Sequence, residues 1–452
     1  MITKEELLSK QIGTISLGCD KNRVDTEHFL ATLKQAGFLF CEKAEDAEII
    51  IVNTCAFIES ARKESIQVIL EMIQQKVINC EKLIVTGCLV QKYLEEIKEN
   101  FPEVDAFIAI SDYNKITKII YELYNLEFPE NAIESKENEK LAKNYCFNRI
   151  TTTPSHYAYL KIADGCNNLC SYCTIPSIRG RFISTSIEEL INEANELVSK
   201  HGAKEIILVA QDVTRYGEDL YEKNMLIELI HKLCEIKDLE QLRLLYCYPE
   251  KVTDELIAEI GSNPKLCKYI DIPLQHVSTP VLKRMHRRST YESIISLINK
   301  FKTSSIFIAI RTTFMVGFPG ETYKDFKELL KFVKEFKLSN IGVFTYSREN
   351  DTPSASFKKQ IPNFIKKLRY KRLMRILEKI AIANNRYFTG QTLKVVCEGT
   401  TVNGYYGRNE YQAPDIDGVV YFTSNKQISI GQMCDVMVTD ALKYDLKGET
   451  II

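Results

Sequence analysis

The chain has 452 residues, of which 45% are hydrophobic and 26% are charged, values typical of a globular protein with room for about three domains. Its formal net charge is −1, so the whole molecule lacks the positive charge that draws proteins to nucleic acid, and any such contact has to be local. The N-terminus has neither the apolar core nor the cleavage site of a signal peptide, and no apolar run reaches the length of a membrane span. We therefore expect a cytoplasmic protein without membrane contact.

Residues 10–125 alternate short apolar runs with helical patterns, which predicts an α/β domain built on a parallel sheet. Three of the runs each end just before a cysteine; they are 12–17 with Cys19, 48–52 with Cys55, and 83–85 with Cys88. Because the carboxyl ends of parallel strands meet at one edge of a sheet, we expect these three distant cysteines to lie together. The alternative is three unrelated buried cysteines.

Residues 126–152 are polar and charged without apolar periodicity, which predicts a linker. Residues 152–384 alternate again, and the candidate strands are 159–163, 205–210, 242–247, 269–272, 307–316 and 341–346. Six strands with six helices predict an incomplete (β/α)6 barrel, in which functional groups collect on the loops after the strands. Those loops carry Cys166, Cys170 and Cys173, then Gln211 and Asp212, then Gln275 and His276, and then 317–321.

The compact motif Cys166-x3-Cys170-x2-Cys173 supplies three thiolates, as does the dispersed set in residues 10–125. A structural zinc site takes four protein ligands, and so does a fully ligated 4Fe–4S cluster. Three cysteines therefore leave one iron open. Half of a zinc site is the alternative, although no second Cys/His pair follows and His156 alone is a weak fourth ligand. The remaining cysteines are interpreted as small apolar residues; they are Cys41, Cys80, Cys146, Cys234, Cys247, Cys267, Cys397 and Cys434.

Residues 361–386 predict one long basic helix, whose expected inner side consists of Ile365, Leu368, Leu373, Ile376, Leu377 and Ile380. Between 364 and 379 it carries seven Lys/Arg and one Glu, and both an RNA contact and a solvated face remain open. Residues 386–452 alternate Val-, Tyr- and Thr-rich runs with glycine turns, which predicts a small β-barrel.

The charge of residues 386–452 favours a protein partner over RNA. Six Lys/Arg against eight Asp/Glu give this segment a net charge of −2, whereas an RNA-binding module is expected to be basic. An acidic module of this kind suits a basic protein as a partner. We expect Asp415 and Asp417 to be exposed charges that steer this association.

The compact motif resembles the signature of the radical S-adenosylmethionine superfamily. With the dispersed cysteines upstream and a C-terminal β module of the TRAM type, almost the whole chain resembles a methylthiotransferase. Segments 15–25, 53–60, 211–217 and 413–418 are similar to the RimO-like branch, which modifies an aspartate of small-subunit ribosomal protein twelve. The MiaB-like branch, which modifies an adenosine in tRNA, remains the alternative. Asp20 stands where proline is more usual.

The resemblance implies S-adenosylmethionine and two 4Fe–4S clusters. The radical cluster would be held by Cys166, Cys170 and Cys173, and the auxiliary cluster by Cys19, Cys55 and Cys88. For S-adenosylmethionine the candidates are Gln211, Asp212, Arg311, Gly317 and Gly320. For Arg311 an ion pair inside the barrel is the alternative.

The family's mechanism implies no catalytic side chain beyond the cluster-bound species. A radical made at the first cluster takes hydrogen from the aspartate β-carbon, and the auxiliary cluster presents sulfur that a second S-adenosylmethionine has methylated. An external electron donor is required, the ribosomal protein is free or in an assembled subunit, and tRNA is not expected as a partner. A non-catalytic iron–sulfur carrier is a further alternative, but a carrier needs no barrel.

Overall fold

The computed structural model describes residues 2–128 and 149–451, which form two compact units. The first unit falls in Met1–Thr152 and Thr174–Arg181, and the second in Thr153–Cys173 and Phe182–Ile452. Most of the predicted linker, with Cys146, lies outside the described residues. The division into domains at 10–125, 152–384 and 386–452 stays a prediction. Across the described ranges, no helix combines the length and the apolar composition that a membrane span requires.

The first unit is a five-stranded parallel sheet with flanking helices, as the sequence predicts. Its elements are α1 (Lys4–Ser9), β1 (Gln11–Ser16), α2 (Asp20–Gln35), β2 (Leu39–Phe40), β3 (Ile49–Thr54), α3 (Glu59–Gln75), β4 (Lys82–Gly87), α4 (Cys88–Asn100), β5 (Ala106–Ile108), α5 (Ile116–Leu123) and α6 (Ile175–Arg179). The strand order is β2-β1-β3-β4-β5, and every neighbouring pair is parallel. The central strand β3 is buried along its whole length, which explains its continuous apolar run.

The second unit begins with the predicted incomplete barrel. Its elements are β6 (Tyr157–Lys161), β7 (Ala163–Asp164), β8 (Ile183–Ser184), α7 (Ile187–Ser199), β9 (Glu205–Val209), α8 (Leu226–Cys234), β10 (Gln241–Leu244), α9 (Asp254–Ser262), β11 (Tyr269–Asp271), α10 (Thr279–Arg284), α11 (Tyr291–Lys302), β12 (Ala309–Val316), α12 (Tyr323–Phe336), β13 (Asn340–Thr345) and α13 (Asn363–Arg386). Six of these strands form two parallel three-stranded sheets, β6-β9-β10 and β11-β12-β13. All six predicted strands are present at their predicted places.

The C-terminal part of the second unit is a closed five-stranded barrel, which confirms the predicted small β module. Its strands are β14 (Thr392–Thr401), β15 (Gly404–Asn409), β16 (Val420–Thr423), β17 (Met433–Ala441) and β18 (Leu446–Thr450), in the order β14-β15-β16-β18-β17. The wall is so tight that a Cβ on Gly407 would lie 1.9 Å from the carbonyl oxygen of Val396. This contact explains one of the glycines that marked the segment in the sequence.

The long helix α13 is present as predicted, but part of its expected inner side is wrong. Leu373, Leu377 and Ile380 are buried, whereas Leu368 is 62% exposed. Lys366 takes the buried position seven residues, or about two helical turns, before Leu373. Its Nζ donates a hydrogen bond to the carbonyl oxygen of Tyr346 at 2.8 Å. The apolar stem of a lysine can fill a buried position when its ammonium reaches an acceptor, and hydrophobic spacing does not reveal such a residue.

A buried ion pair joins the small barrel to the amino ends of the large barrel's strands. Arg408 Nη2 of the small barrel lies 2.9 Å from Glu205 Oε2 of the large barrel, and Arg243 Nε, also of the large barrel, lies 2.5 Å from Glu205 Oε1. Burial alone would raise the pKa of Glu205, but the two arginines outweigh it and lower that pKa to about 2. The carboxylate therefore stays ionised, and charge pairing holds the two barrels together.

The expectation that Asp417 is an exposed charge is wrong. Its side chain is 1% exposed, and its carboxylate pairs with Arg311 Nε at 3.4 Å and accepts a hydrogen bond from the Tyr269 hydroxyl at 2.7 Å. Asp415, two residues earlier, is exposed as expected. Asp417 therefore belongs to the seam between the two barrels rather than to a surface that could steer a partner.

Candidate functional site

The three dispersed cysteines lie at one edge of the sheet in the first unit. Cys19 is the N-cap of α2 just after β1, Cys55 follows β3 directly, and Cys88 is the first residue of α4 directly after β4. These three strands are neighbours in the sheet. At Gly18 (φ +92°) a Cβ would lie 2.6 Å from the Cβ of Cys55, so the loop that carries Cys19 passes closely over Cys55.

Burial controls the protonation of two of the dispersed cysteines, Cys55 and Cys88. Cys55 and Cys88 are each 6% exposed. Burial is the main cause that raises the pKa of Cys55 to about 12, and the neighbouring Cys19 and Cys88 contribute in the same direction. Burial also raises the pKa of Cys88. In the free protein these thiols are therefore protonated at neutral pH, and a metal group that binds thiolates has to release their protons.

Arg179 brings a positive charge to the dispersed cysteines, and the sequence reasoning missed it. Its Nη2 lies 3.7 Å from Cys88 Sγ and 3.3 Å from Asn22 Oδ1, and its Nη1 lies 2.5 Å from Asp25 Oδ2. The side chain is 2% exposed. The one feature of the sequence that could have pointed to Arg179 is its position at the end of α6, six residues after Cys173. The fully buried pair fixes the guanidinium beside the Cys88 sulfur.

The compact cysteines occupy the loop after β7 in the second unit. Cys170 Sγ lies 3.0 Å from the Tyr248 hydroxyl, and the Cys173 amide donates to the Cys170 carbonyl at 3.0 Å. Between them, the Ser171 hydroxyl donates to the Arg284 carbonyl at 2.8 Å. These bonds tie the middle of the loop to other parts of the same unit, so its cysteines are held in place.

The second strand-end loop of the large barrel supports the compact motif. The Asp212 carboxylate, which is fully buried, accepts from Asn168 Nδ2 at 2.8 Å and from the Thr214 hydroxyl at 2.5 Å. Burial raises the pKa of Asp212, although both hydrogen bonds oppose this effect. Since Asn168 lies between Cys166 and Cys170 in the motif, Asp212 holds the cysteine loop.

Gln211 differs from its neighbour because it retains a free polar atom. Its Nε2 donates to Asp164 Oδ1 at 3.1 Å, whereas its Oε1 is buried without a hydrogen-bond partner among the described residues. Gln275, after β11, likewise has a buried Oε1 without a partner in that part of the chain. Two unsatisfied acceptors on strand-end loops are a departure from the usual pairing of buried polar groups.

The loop at 317–321 is closed by its own side chains. Gly317 and Gly320 have φ values of +78° and +79°, and the Glu321 carboxylate accepts the amide hydrogens of Gly317 and Phe318. A Cβ on Gly317 would lie 2.4 Å from Lys366 Cγ. The glycines are therefore required by the loop itself, and a contact between them and a cofactor stays a prediction.

Arg311 shows the interior ion pair that the sequence left open. Its Nη1 lies 3.0 Å from Asp271 Oδ1, and its Nε pairs with Asp417. It stands five residues before Val316, the last residue of β12, which is about 16 Å along an extended strand. A contact between Arg311 and S-adenosylmethionine stays a prediction.

The donor sets of both triads, three thiolates each, are of the kind that iron–sulfur clusters take, and the assignment of either triad to a cluster stays a prediction. Within residues 2–128 and 149–451, no three Cys, His, Asp or Glu side chains are arranged to hold one ion. A cubane cluster takes each thiolate on a different iron, so its ligands do not converge on one point. His156, the candidate fourth zinc ligand, has its Nε2 3.1 Å from Glu398 Oε1 instead.

Three family models match successive parts of the chain. Residues 11–109 match the Uncharacterized protein family UPF0004, residues 160–333 match the Radical SAM superfamily, and residues 389–451 match the TRAM domain. The first match contains the dispersed cysteines, and the second contains the compact motif.

Curated relatives match the chain over nearly its whole length. The proteins from Acetivibrio thermocellus and Alkaliphilus oremlandii, each named ribosomal protein uS12 methylthiotransferase RimO, are 46% and 47% identical to it. The matches cover 98% and 97% of this chain and 99% and 98% of the relatives. Among solved structures, the radical S-adenosylmethionine methyltransferase TsrM from Kitasatospora setae matches with a TM-score of 0.55 at 11% identity, over 76% of this chain and 77% of that one. This likeness concerns the fold alone.

Proposed function

Because the chain belongs to the RimO family of radical S-adenosylmethionine methylthiotransferases, we propose that it adds a methylthio group to the β-carbon of an aspartate in ribosomal protein uS12. The observation that carries the sulfur-transfer part of this proposal is the second cysteine triad, and the names of the relatives support uS12 as the target. One open iron suffices to cleave S-adenosylmethionine, whereas a sulfur-transferring enzyme also needs a sulfur held beside the activated carbon. With two three-cysteine sites, one site can cleave S-adenosylmethionine and the other can hold the sulfur.

Each triad is assigned one 4Fe–4S cluster with one open iron. Cys166, Cys170 and Cys173 hold the first, and the dispersed cysteines of the first unit hold the auxiliary one. When bound, these groups and S-adenosylmethionine supply the one-electron chemistry that activates an unreactive C–H bond and delivers sulfur to it. The ligands follow the ends of hydrogen-bonded strands or stand on anchored loops, and such rigid supports favour a fixed cluster geometry. An external electron donor completes the reaction.

The chain's own residues orient the ligands at the compact site. Asp212 fixes the cysteine loop through Asn168, and Tyr248 brings its hydroxyl to Cys170. Gln211 supplies the free buried oxygen, which suits the ammonium group of S-adenosylmethionine because that group donates hydrogen bonds and accepts none. Among the predicted cofactor residues, Gln211 has the strongest support from the hydrogen-bond pattern.

The biological target is tested in cells that lack this chain. Mass spectrometry of ribosomal proteins and of bulk tRNA from the deletion strain is expected to show uS12 without its methylthio group and unchanged tRNA. Restoring the gene should restore the group, whereas restoring a variant with the compact cysteines replaced by alanine should not. Loss of a methylthio group from tRNA adenosine, with uS12 unchanged, would favour the MiaB-like alternative.

Replacing Arg179 with glutamine is expected to shift the auxiliary cluster to a more negative reduction potential. A nearby cation and an N–H···S hydrogen bond both stabilise the added electron on an iron–sulfur cluster, and glutamine removes the charge. The apoprotein should also lose about 3 kcal/mol of stability, because the buried Asp25 carboxylate loses its ion pair with Arg179.

The reduction potential of the Arg179 variant is measured in protein whose compact cysteines are replaced by alanine, so that only the auxiliary cluster is titrated. Redox titration followed by electron paramagnetic resonance reports the potential, and thermal melting of the apoprotein reports the stability. Arg181→Gln, an exposed arginine in the same segment, is the matched control and should change neither. An unchanged potential in Arg179→Gln would refute the electrostatic role even if the protein became less stable.

A further inference from the structure

Helices α12 and α13 expose a concentrated set of positive charges. The name basic face is used for the exposed side chains Lys327, Lys367, Lys371, Arg372, Arg375 and Lys379. The helical repeat separates the five cations of α13 from Leu373, Leu377 and Ile380, which are buried on the opposite side. Lys367 and Lys379 lie twelve positions apart, so the face extends about 18 Å along the helix.

The charge of this helix stands apart from the rest of the chain. Seven Lys/Arg against one Glu give residues 364–379 a charge of +6, while the whole chain is −1, so all other residues together carry −7. The one glutamate, Glu378, pairs with Lys443 at 2.6 Å. In the described part of the chain, no carboxylate forms an ion pair with any of the six cations of the basic face. A surface of this kind attracts polyanions.

Aromatic and apolar side chains are interspersed with these cations. Tyr323 is 53% exposed; its hydroxyl accepts from Arg372 Nη1 at 3.2 Å, and Lys327 Nζ lies 4.8 Å from its ring centre. On α13, Phe364 and Leu368 are 70% and 62% exposed. Proteins bind single-stranded and looped RNA with exposed aromatic rings beside Arg and Lys. The cations contact the phosphates, and the bases stack on the rings.

We propose that the basic face is an RNA-docking surface that holds the enzyme on the RNA around its protein substrate. The choice of an assembled ribosomal subunit rests on the proposed function, but binding to RNA does not. An anionic membrane is a poorer fit, because interfacial helices need a broad apolar side facing the lipid. An acidic protein would leave the exposed rings without a role. The acidic balance of residues 386–452 is compatible with this surface, since the cations are confined to α12 and α13.

The first test measures RNA affinity of the full-length, cluster-loaded protein. A fluorescent RNA hairpin is titrated at several KCl concentrations, and the double variant Arg372→Glu/Arg375→Glu is compared with Lys223→Glu/Lys237→Glu, a matched reversal of two exposed lysines in the same unit. The first variant is expected to weaken binding at least about tenfold at low salt and to reduce the slope of log affinity against log salt by about 2. The control should stay within about twofold.

The second test asks whether this docking serves the reaction. The face variant should methylthiolate uS12 in the small subunit more slowly, while its rate with free uS12 and its melting temperature stay at wild-type values. Equal RNA affinity of the face variant and the wild type would overturn the inference, and so would binding to phosphatidylglycerol vesicles in place of RNA. If the wild-type enzyme modifies neither form of uS12, the proposed function fails, and the RNA titration still decides the role of the basic face.

Discussion

Replacing Cys166, Cys170 and Cys173 together with alanine is expected to abolish cleavage of S-adenosylmethionine and to remove half of the iron. The wild-type chain, reconstituted without oxygen, should hold about eight irons, as two cubane clusters require. The triple variant should retain about four, because the dispersed cysteines belong to the other compact unit and keep their own surroundings. Iron analysis and detection of 5′-deoxyadenosine check both expectations.

The reciprocal variant distinguishes two separate sites from one. Alanine at Cys19, Cys55 and Cys88 should also halve the iron, yet leave measurable S-adenosylmethionine cleavage and abolish methylthio transfer. Cys80, a buried cysteine between the second and third ligands in the sequence, is a matched control, because burial is the main cause of its raised pKa, as it is for Cys55. Cys80→Ala should keep about eight irons. Full iron content in both triple variants would show that the ligand assignment is wrong.

Replacing Asp417 with asparagine is expected to destabilise the protein by about 2 kcal/mol, the effect of weakening hydrogen bonds to a buried charged group. The substitution keeps the shape of the side chain but leaves Arg311 with Asp271 as its remaining carboxylate partner. Urea or thermal unfolding of the apoprotein measures the loss. Asp415→Asn is the matched control: Asp415 is exposed with a φ of +64°, a conformation that asparagine also tolerates, so it should change stability by less than about 0.5 kcal/mol.

The ion pairs between the two barrels also predict the effect of removing the small barrel. Removing residues 387–452 would take away Arg408 and Asp417 and leave Glu205 and Arg311 with fewer partners at the amino ends of the strands. We therefore expect a truncated chain to lose stability in the large barrel as well as the small one. A melting temperature equal to that of the full chain would show that the two barrels are energetically independent.

Much of the fold could be predicted from local patterns in the sequence. Continuous apolar runs located the parallel strands, and glycine-rich alternation located the small barrel. The shared position of Cys19, Cys55 and Cys88 was predictable because each follows a strand of one parallel sheet, so topology alone brings them together. The spacing of hydrophobic residues was sufficient to predict strands and helices whose buried residues are apolar.

The residues that were missed or misplaced depend on partners distant in the sequence. Arg179 is buried because Asp25, more than a hundred positions earlier, neutralises it. Asp417 is buried because it forms an ion pair with Arg311 and accepts a hydrogen bond from Tyr269. Lys366 is buried because its ammonium donates a hydrogen bond to a backbone carbonyl oxygen. Charged residues are expected at the surface unless they are paired. The pairing itself arises only in the folded chain, so no local pattern reveals it.

The most direct test of the central claim is a competition between the two possible substrates in one reaction. Cluster-loaded protein, S-adenosylmethionine, a reductant and a sulfur source are incubated with small ribosomal subunits and unmodified tRNA together, and both are then analysed by mass spectrometry. The proposed function predicts a methylthio group on one aspartate of uS12 and none on tRNA. A methylthio group on tRNA adenosine, with uS12 unmodified, would contradict it.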